Sequence, residues 1–316
     1  MRDLAVTVPT INRARDIFCT LVGVLPIAYW RRADPTNPGG DPTRLPDLTW
    51  LDRPDPNTTR AELLAWTVDD LIFHRRSFWR VKTRYKENDF PASFERVPFR
   101  EIRLDVDYET NVVTKWFWRE KEYAVRDLVD FRGITEGVLA VGGRTISIAL
   151  NLDAAADRFA NAEVPAGTLT ADPGQEPLTV EELQAAGALF DERRRSHVTA
   201  PLQGWTYNPV DWNAEGMQLT EGRQHSALEC SRLMNAPAWT VGAPAGSSMT
   251  YQNAEQARLD LIDFGAMSYL ACIEQTLSGP SITPARTYVK FDLSEWLRNP
   301  LLAAPESPAQ APGGDA

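Results

Sequence analysis

The stretch from Gln224 to Leu293 constrains this chain more than any other. It opens with a helical pattern, Gln224 to Leu233, which breaks at Asn235-Ala236-Pro237. Proline has no N–H to continue a helix and pushes the residue before it out of the α region. Val241 to Ser248 follows, a link with two glycines, one proline and two serines. Thr250 to Gln256 then starts a long helical pattern that ends near Leu277-Ser278-Gly279-Pro280, and Thr287 to Leu293 reads as a strand. The fold must therefore hold a helix, a proline stop, a loop of small residues, a long helix and a returning strand, in that order.

With 316 residues and 43% hydrophobic content, the chain can bury a real core in one large or two ordinary domains. Its formal net charge of -10 excludes wholesale coating of nucleic acid, since proteins that hold phosphates by counterion release present positive charge. DNA that must pass without sticking remains compatible with it. Cys19, Cys230 and Cys272 lie far apart in apolar surroundings, without CxxC or metal-ligand spacing, and read as buried reduced thiols. The most apolar run, Ile17 to Ala28, is shorter than the ~20 residues of a spanning helix and contains Pro26, so no membrane span is expected. No secretory signal is expected either, because Arg13, Arg15 and Asp16 precede that run and no small-x-small site follows it.

Ile11, Ala14, Phe18, Leu21, Val22 and Leu25 recur at helical spacing, with Pro26 marking the end. Residues Arg31 to Asn57, crowded with Pro, Asp, Gly and Thr, read as a long irregular surface arm. Thr59-Arg60-Ala61-Glu62 is a capping box that opens a helix to about His74. From Trp79 the period changes to two: Trp79, Val81, Thr83 and Tyr85 alternate with Arg80, Lys82, Arg84 and Lys86. Further strands are expected over Arg100–Asp107, Val112–Trp118 and Tyr123–Phe131, making a small antiparallel sheet. Thr145 to Ala160 predicts a helix of roughly four turns with Ile148, Leu152, Ala155 and Phe159 on one side. Pro165–Thr170 reads as a short strand, and Thr179-Val180-Glu181-Glu182 as a second capping box. The helix after that box ends in Arg193, Arg194 and Arg195, where cations complement the dipole. Gln203 to Trp212 reads as strand and loop, and Asn299 to Ala316, rich in Pro, Ala, Gly and Ser, as a disordered tail.

The sequence holds no catalytic constellation. His74, His197 and His225 sit at helix ends or near an arginine run, and none is paired with a nucleophile. The chain has no HExxH, GxSxG or GxxxxGK[ST] pattern, so no ATP-driven motor is encoded and no catalytic residue, cofactor or metal is expected. Carboxylate pairs such as Asp69-Asp70, Glu181-Glu182 and Asp260 with Asp263 read as solvated faces. The basic face Arg80, Lys82, Arg84, Lys86 is either a contact surface for phosphate or an acidic neighbour, or a solvated sheet face, and strand alternation favours the latter.

In the order of its segments, the chain resembles the portal proteins of tailed bacteriophages. The likeness is carried by Leu233 to Gly242 with its proline turn, and by Thr250-Tyr251-Gln252-Asn253-Ala254-Glu255-Gln256. The helix to Leu277, the strand Tyr288–Leu293, and upstream Arg126–Arg132 with Pro165–Leu169 complete it. The resemblance implies an α+β portal-type fold without enzymatic activity. It implies an α/β wing over 1–135, a stem helix over 136–163, a small α/β clip over 164–214 and a second stem helix over 215–236. A tunnel loop over 237–253 and a long helix with returning wing strand over 254–298 follow, then the tail over 299–316. The usual helical crown is not expected, and the long helix lacks the proline common in the family.

The tunnel loop residues that would face DNA are Ala243, Pro244, Ala245, Gly246, Ser247, Ser248 and Met249, and the clip contacts would include Arg193, Arg194 and Arg195. The resemblance further implies a homo-oligomeric ring, a dodecamer, at one vertex of a virion capsid, made in the host cytoplasm. Its partners would be the major capsid protein, terminase, a head-tail adaptor and double-stranded DNA passing without sequence recognition, with no membrane involved. Another virion protein, capsid or adaptor, and less so a phage-encoded hydrolase, remain the alternatives.

Overall fold

The structure, a computed structural model, describes residues 1–34, 40–110, 112–160, 167–171, 179–195, 205–209, 219–242 and 251–294. The first elements are α1 (Arg2–Ala5), α2 (Pro9–Val24), β1 (Ile27–Arg31), β2 (Thr43–Arg44), α3 (Thr49–Asp52) and α4 (Arg60–His74). Next come β3 (Arg76–Arg84), β4 (Pro91–Val97), β5 (Ile102–Val106), β6 (Val113–Trp118), β7 (Lys121–Tyr123) and β8 (Leu128–Arg132). They are followed by α5 (Val138–Val141), α6 (Gly143–Ala160), β9 (Gly167–Ala171), α7 (Val180–Arg195), β10 (Trp205–Pro209) and α8 (Leu219–Leu233). The last are α9 (Tyr251–Asp260), α10 (Met267–Leu277) and β11 (Thr287–Phe291). Two compact units result: Met1–Gly143 with Cys230–Ala316, and Arg144–Glu229.

In the first unit three antiparallel sheets have the orders β11-β1-β2, β4-β3-β8 and β5-β6-β7. The expected single sheet is thus two, because the pattern read as one strand over 123–131 is broken by a 3-10 turn at Val125–Asp127. The strand β4 carries no apolar alternation and was not expected; it pairs with β3 from Phe78↔Val97 to Arg84↔Pro91. The strand β11 returns to β1 in the register Ile27↔Phe291, Ala28↔Lys290 and Tyr29↔Val289.

The helices α2 and α4 pack closely: a Cβ added at Gly23 would stand 2.9 Å from the Ala61 carbonyl oxygen. The Thr59 hydroxyl caps α4 by accepting from Glu62 N–H at 3.2 Å, as the box requires. Arg75, with φ 64, ends it in the left-handed region. The core lies between this helix pair and β3, where Trp79 packs on Phe94 and Phe131 with centroids 5.4 and 4.7 Å away. A smaller core of Phe78, Val97, Val113, Trp116 and Trp118 joins the β4-β3-β8 and β5-β6-β7 sheets. The expected surface arm is partly interior. Trp50 and Leu51 of α3 are buried, and the Trp50 ring meets Phe94 edge-on at 5.1 Å.

In the second unit the box at Thr179 closes in both directions, with Thr179 N–H donating to the Glu182 carboxylate at 2.9 Å and Glu182 N–H to Thr179 Oγ1 at 3.4 Å. The strands β9 and β10 pair from Trp205↔Ala171 to Pro209↔Gly167. The expected apolar side of α6 is corrected: Ile146 and Ala149 are buried while Ile148 is 45% exposed. The helix carries isoleucine on both stripes, and Leu152 of the expected one faces Gly222 of α8, where an added Cβ would stand 3.6 Å from its Cδ2.

Candidate channel loop and its anchors

The loop that sequence places at the centre of the function, Ala243 to Met249, lies outside the described residues, as does His197. Its two flanks are described. The helix α8 ends in a Schellman motif: Asn235 takes φ 52, its N–H donates to Arg232 O at 3.1 Å, and Ala236 N–H reaches back to Ser231 O at 3.0 Å. Ser231 Oγ donates to Ala236 O, and Pro237 follows where the helix cannot continue. A 3-10 turn, Ala238–Val241, carries the chain to Gly242, whose φ of 71 suits a residue without Cβ.

On the far side, α9 and α10 are joined by a π-helical turn, Leu261–Ala266. The long helix therefore breaks its pattern without the proline that sequence showed to be missing, by the rarer device of one additional residue in a turn. Gly265 is the reason the turn can sit where it does. A Cβ there would lie 2.5 Å from Phe18 Cε1 of α2 and 3.4 Å from Asn235 O. The glycine thus lets the π-turn approach both α2 and the Schellman cap, so both flanks of the loop are seated together on α2. Phe264, one residue away, is 74% exposed.

The basic strand face is a neutralised seam. Arg80 donates to Glu95 and lies over the rings of Trp118 and Tyr123 at 5.2 and 5.0 Å. Lys82 pairs with Asp55 at 3.4 Å, and Arg84 donates to Asp127 at 3.0 Å and to Arg126 O at 2.7 Å. Lys86 is exposed in the turn that follows. Phosphate would have to displace these carboxylates, so Arg80, Lys82 and Arg84 act first as internal ties. Arg193, Arg194 and Arg195 close α7, and their side chains are outside the described residues.

The carboxylates Asp69 and Asp70 overturn the expectation of a solvated face, being 0% and 3% exposed. Arg2 binds Asp69 through Nε at 2.8 Å and Nη2 at 2.7 Å, and Arg15 Nε reaches the same carboxylate at 2.7 Å. Asp70 accepts from Arg96 Nη2 at 3.2 Å and from Ser77 Oγ at 3.3 Å. All three arginines also lie over the Trp66 ring, Arg96 at 4.3 Å. Sequence could not show this, because the partners stand 67, 54 and 26 residues away.

Burial pushes the Asp70 carboxyl up to about 6 against the opposing pull of Arg96. Between pH about 4 and 6 the folded chain holds a proton that the unfolded chain has released, so this group makes stability fall as pH rises through that window. The span from 3.8 to about 6 corresponds to about 3 kcal/mol. Urea unfolding at pH 4, 5, 6 and 7 checks this: Asp70→Asn should remove about that much of the wild-type decline, and parallel curves would contradict it.

Among the described residues no group of three or more His, Cys, Asp or Glu could hold a metal ion, and no helix is long and apolar enough to cross a membrane. The three cysteines are buried thiols, with burial pushing Cys19 up to about 12 and Cys272 up to about 11. His74 stacks on Phe99 at 4.1 Å, and burial beside Arg100 pushes its pKa down.

The profile of the phage portal protein family matches residues 9–307. In fold, the chain is similar to an HK97 family phage portal protein from Corynebacterium diphtheriae, at 24% identity and TM-score 0.73, over 93% of this chain and 95% of that one. It is also similar to a chain in the virion of the native gene transfer agent particle, at 13% identity and TM-score 0.62, over 91% of this chain and 81% of that one. A chain in the neck of that native particle, computed with C12 symmetry, matches at 14% identity and TM-score 0.60 over the same shares. No curated protein matches by sequence. With the family profile spanning nearly the whole chain, this protein belongs to the phage portal protein family.

Proposed function

We propose that the chain is one subunit of a ring-shaped channel at a capsid vertex, through which DNA is packaged and later ejected. The observation that carries this is the family match over residues 9–307. The anchoring of both loop flanks on α2 supports it, since a loop beside moving DNA needs a rigid base. In this reading residues 1–135 form the wing, 136–163 and 215–236 the stem helices, 164–214 the clip, 237–253 the tunnel loop, and 254–298 the long helix with its wing strand.

Twelve copies close the ring, in keeping with the C12 symmetry of the gene transfer agent neck. A closed ring satisfies a heterologous interface with no free end. Val180, Leu183 and Leu189 of α7, Ile148 of α6 and Phe264 of the π-turn are apolar side chains that a lone subunit leaves exposed. Burial between copies would remove them from water. The major capsid protein, terminase and a head-tail adaptor are the further partners, the last two at the clip. Each subunit carries a formal charge of -10, so the assembled channel repels phosphate and lets DNA slide.

Deleting Ala245 to Ser248 tests the loop assignment. Rings should still form, because Ser231, Asn235 and Gly265 are untouched, while packaging or retention of DNA should fail in an in vitro packaging assay. Intact packaging by the shortened loop would sink the assignment.

A further inference from the structure

A ring of identical copies needs two different patches on each chain that fit one another and point different ways. The first unit carries such a pair. One is the end of the β5–β6 hairpin, Asp105 to Val113, which holds three carboxylates, Asp105, Asp107 and Glu109, and no cation. Val106, Tyr108 and Val112 are exposed there, the Tyr108 ring fully. The turn is firmly held: Asp107 Oδ1 accepts from the N–H groups of Glu109 and Thr110, both at 2.9 Å, and Asp107 N–H donates to Val112 O at 2.9 Å. At the base, Val113, Trp116 and Trp118 join the core with Phe78 and Val97. The result is an acidic tip with an exposed aromatic ring on a rigid stalk.

The other patch is the outer face of the β11-β1-β2 sheet. Trp30, Tyr288 and Arg44 share it, because register partners project to one side, and Lys290 joins them two residues along. Tyr29, Val289 and Phe291 turn the opposite way into the core. The Arg32 guanidinium lies 5.8 Å over the Tyr288 ring, and Arg44 meets Asp47 at 3.6 Å. Trp30 and Tyr288 are half-buried, while Arg32, Arg44 and Lys290 are exposed. The β11 edge of this sheet is closed. Val289 N–H donates to Ser278 Oγ at 2.9 Å and Phe291 N–H to Glu274 Oε1 at 2.8 Å, so no strand adds there and contact falls to the face.

Tip and face stand at opposite ends of α4. Gly23, shortly before β1, lies against the Ala61 carbonyl at the start of that helix, whereas Phe99, shortly before β5, stacks on His74 at its end. The 15 residues between advance about 22 Å at ~1.5 Å each. Held apart in one compact unit, the two patches of a single chain point to different neighbours, and head-to-tail copies bring them together at every junction.

Resting on the ring reading above, we infer that the β5–β6 hairpin of each subunit docks on the β11-β1-β2 face of the next. Tyr108 lies against Trp30 and Tyr288 there, and the acidic tip sits among Arg32, Arg44 and Lys290. Opposite charge selects the pairing, and the three rings supply the buried area.

A benzophenone side chain in place of Tyr108 tests the contact by photocrosslinking and peptide mass spectrometry, with isotopically heavy and light full-length chains mixed before assembly. Adducts should join heavy to light chains and map to residues 28–32, 43–47 or 286–290. Arg32→Glu with Lys290→Glu should cut their yield by about tenfold, and adding Glu109→Lys should recover it, because the charges are then opposite again. All three side chains are exposed, so the fold is kept. Adducts confined to single chains, adducts on other segments, or a yield indifferent to the face charges would overturn the proposal. Mass photometry of the same samples separates it from the ring reading. Rings whose adducts map elsewhere overturn this contact alone; lone subunits without heavy-light adducts overturn both.

Discussion

Replacing Asp69 by alanine should lower stability by about 3–5 kcal/mol, the range found when one member of a buried ion pair is removed. The carboxylate is 1% exposed at its side chain and faces Arg2 and Arg15, whose side chains are 18% and 22% exposed. Its loss leaves two partly desolvated guanidiniums above Trp66 with only the exposed carboxylates of Asp3 and Asp16 as counter-charges. A fold of this size is marginal, so most subunits would fail to assemble. The contrast with Arg2→Ala makes the expectation specific, since Arg15 still compensates Asp69 there and the loss should stay near 1–2 kcal/mol. Chemical denaturation of the three proteins decides it; equal losses for Asp69→Ala and Arg2→Ala would show that no shared charge is being stranded.

A comparable loss, about 3–5 kcal/mol, is expected for Trp79→Ala. The indole is 2% exposed, lies between Phe94 and Phe131, and donates from Nε1 to Thr67 Oγ1 at 2.8 Å. The Thr67 hydroxyl donates in turn to Leu63 O at 2.8 Å, so strand β3 is tied into the α4 backbone through one ring. Trp79→Phe keeps most of the volume and loses the donor, and about 1–2 kcal/mol should separate it from wild type. If the two variants unfold at the same urea concentration, the hydrogen bond and not the packing carries the site.

Much of the architecture was legible because its signals are local. The boxes at Thr59 and Thr179 need only a residue three positions on, and both helices start where those residues place them. The strand after Pro280 and the proline stop at Pro237 were legible for the same reason. Distance along the chain made the rest opaque. Asp69 and Asp70 look solvent-facing until Arg2, Arg15 and Arg96 are folded against them, and Arg80 to Arg84 look free until Glu95, Asp55 and Asp127 arrive. The strand β4 was opaque differently, since its register with β3 includes shifts near Val81 and Thr83 that no alternation announces. At the loop, the sequence pointed to the segment but not to its footing. The signal for the footing was Gly265, which sequence alone cannot separate from any other helical glycine.

That turn has a bearing on how homologous chains can diverge. An α-helix advances about 100° per residue, so inserting or losing one residue normally rotates everything beyond it off its contacts. A π-turn absorbs one residue within the helix. Here α10 is held in phase by β11 and β8, while the stretch before Leu261 leads to the loop. The phase of α9 is thereby uncoupled from that of α10. Loop-proximal residues could be re-aimed by a single-codon insertion or deletion at Leu261–Ala266, without disturbing strand β11.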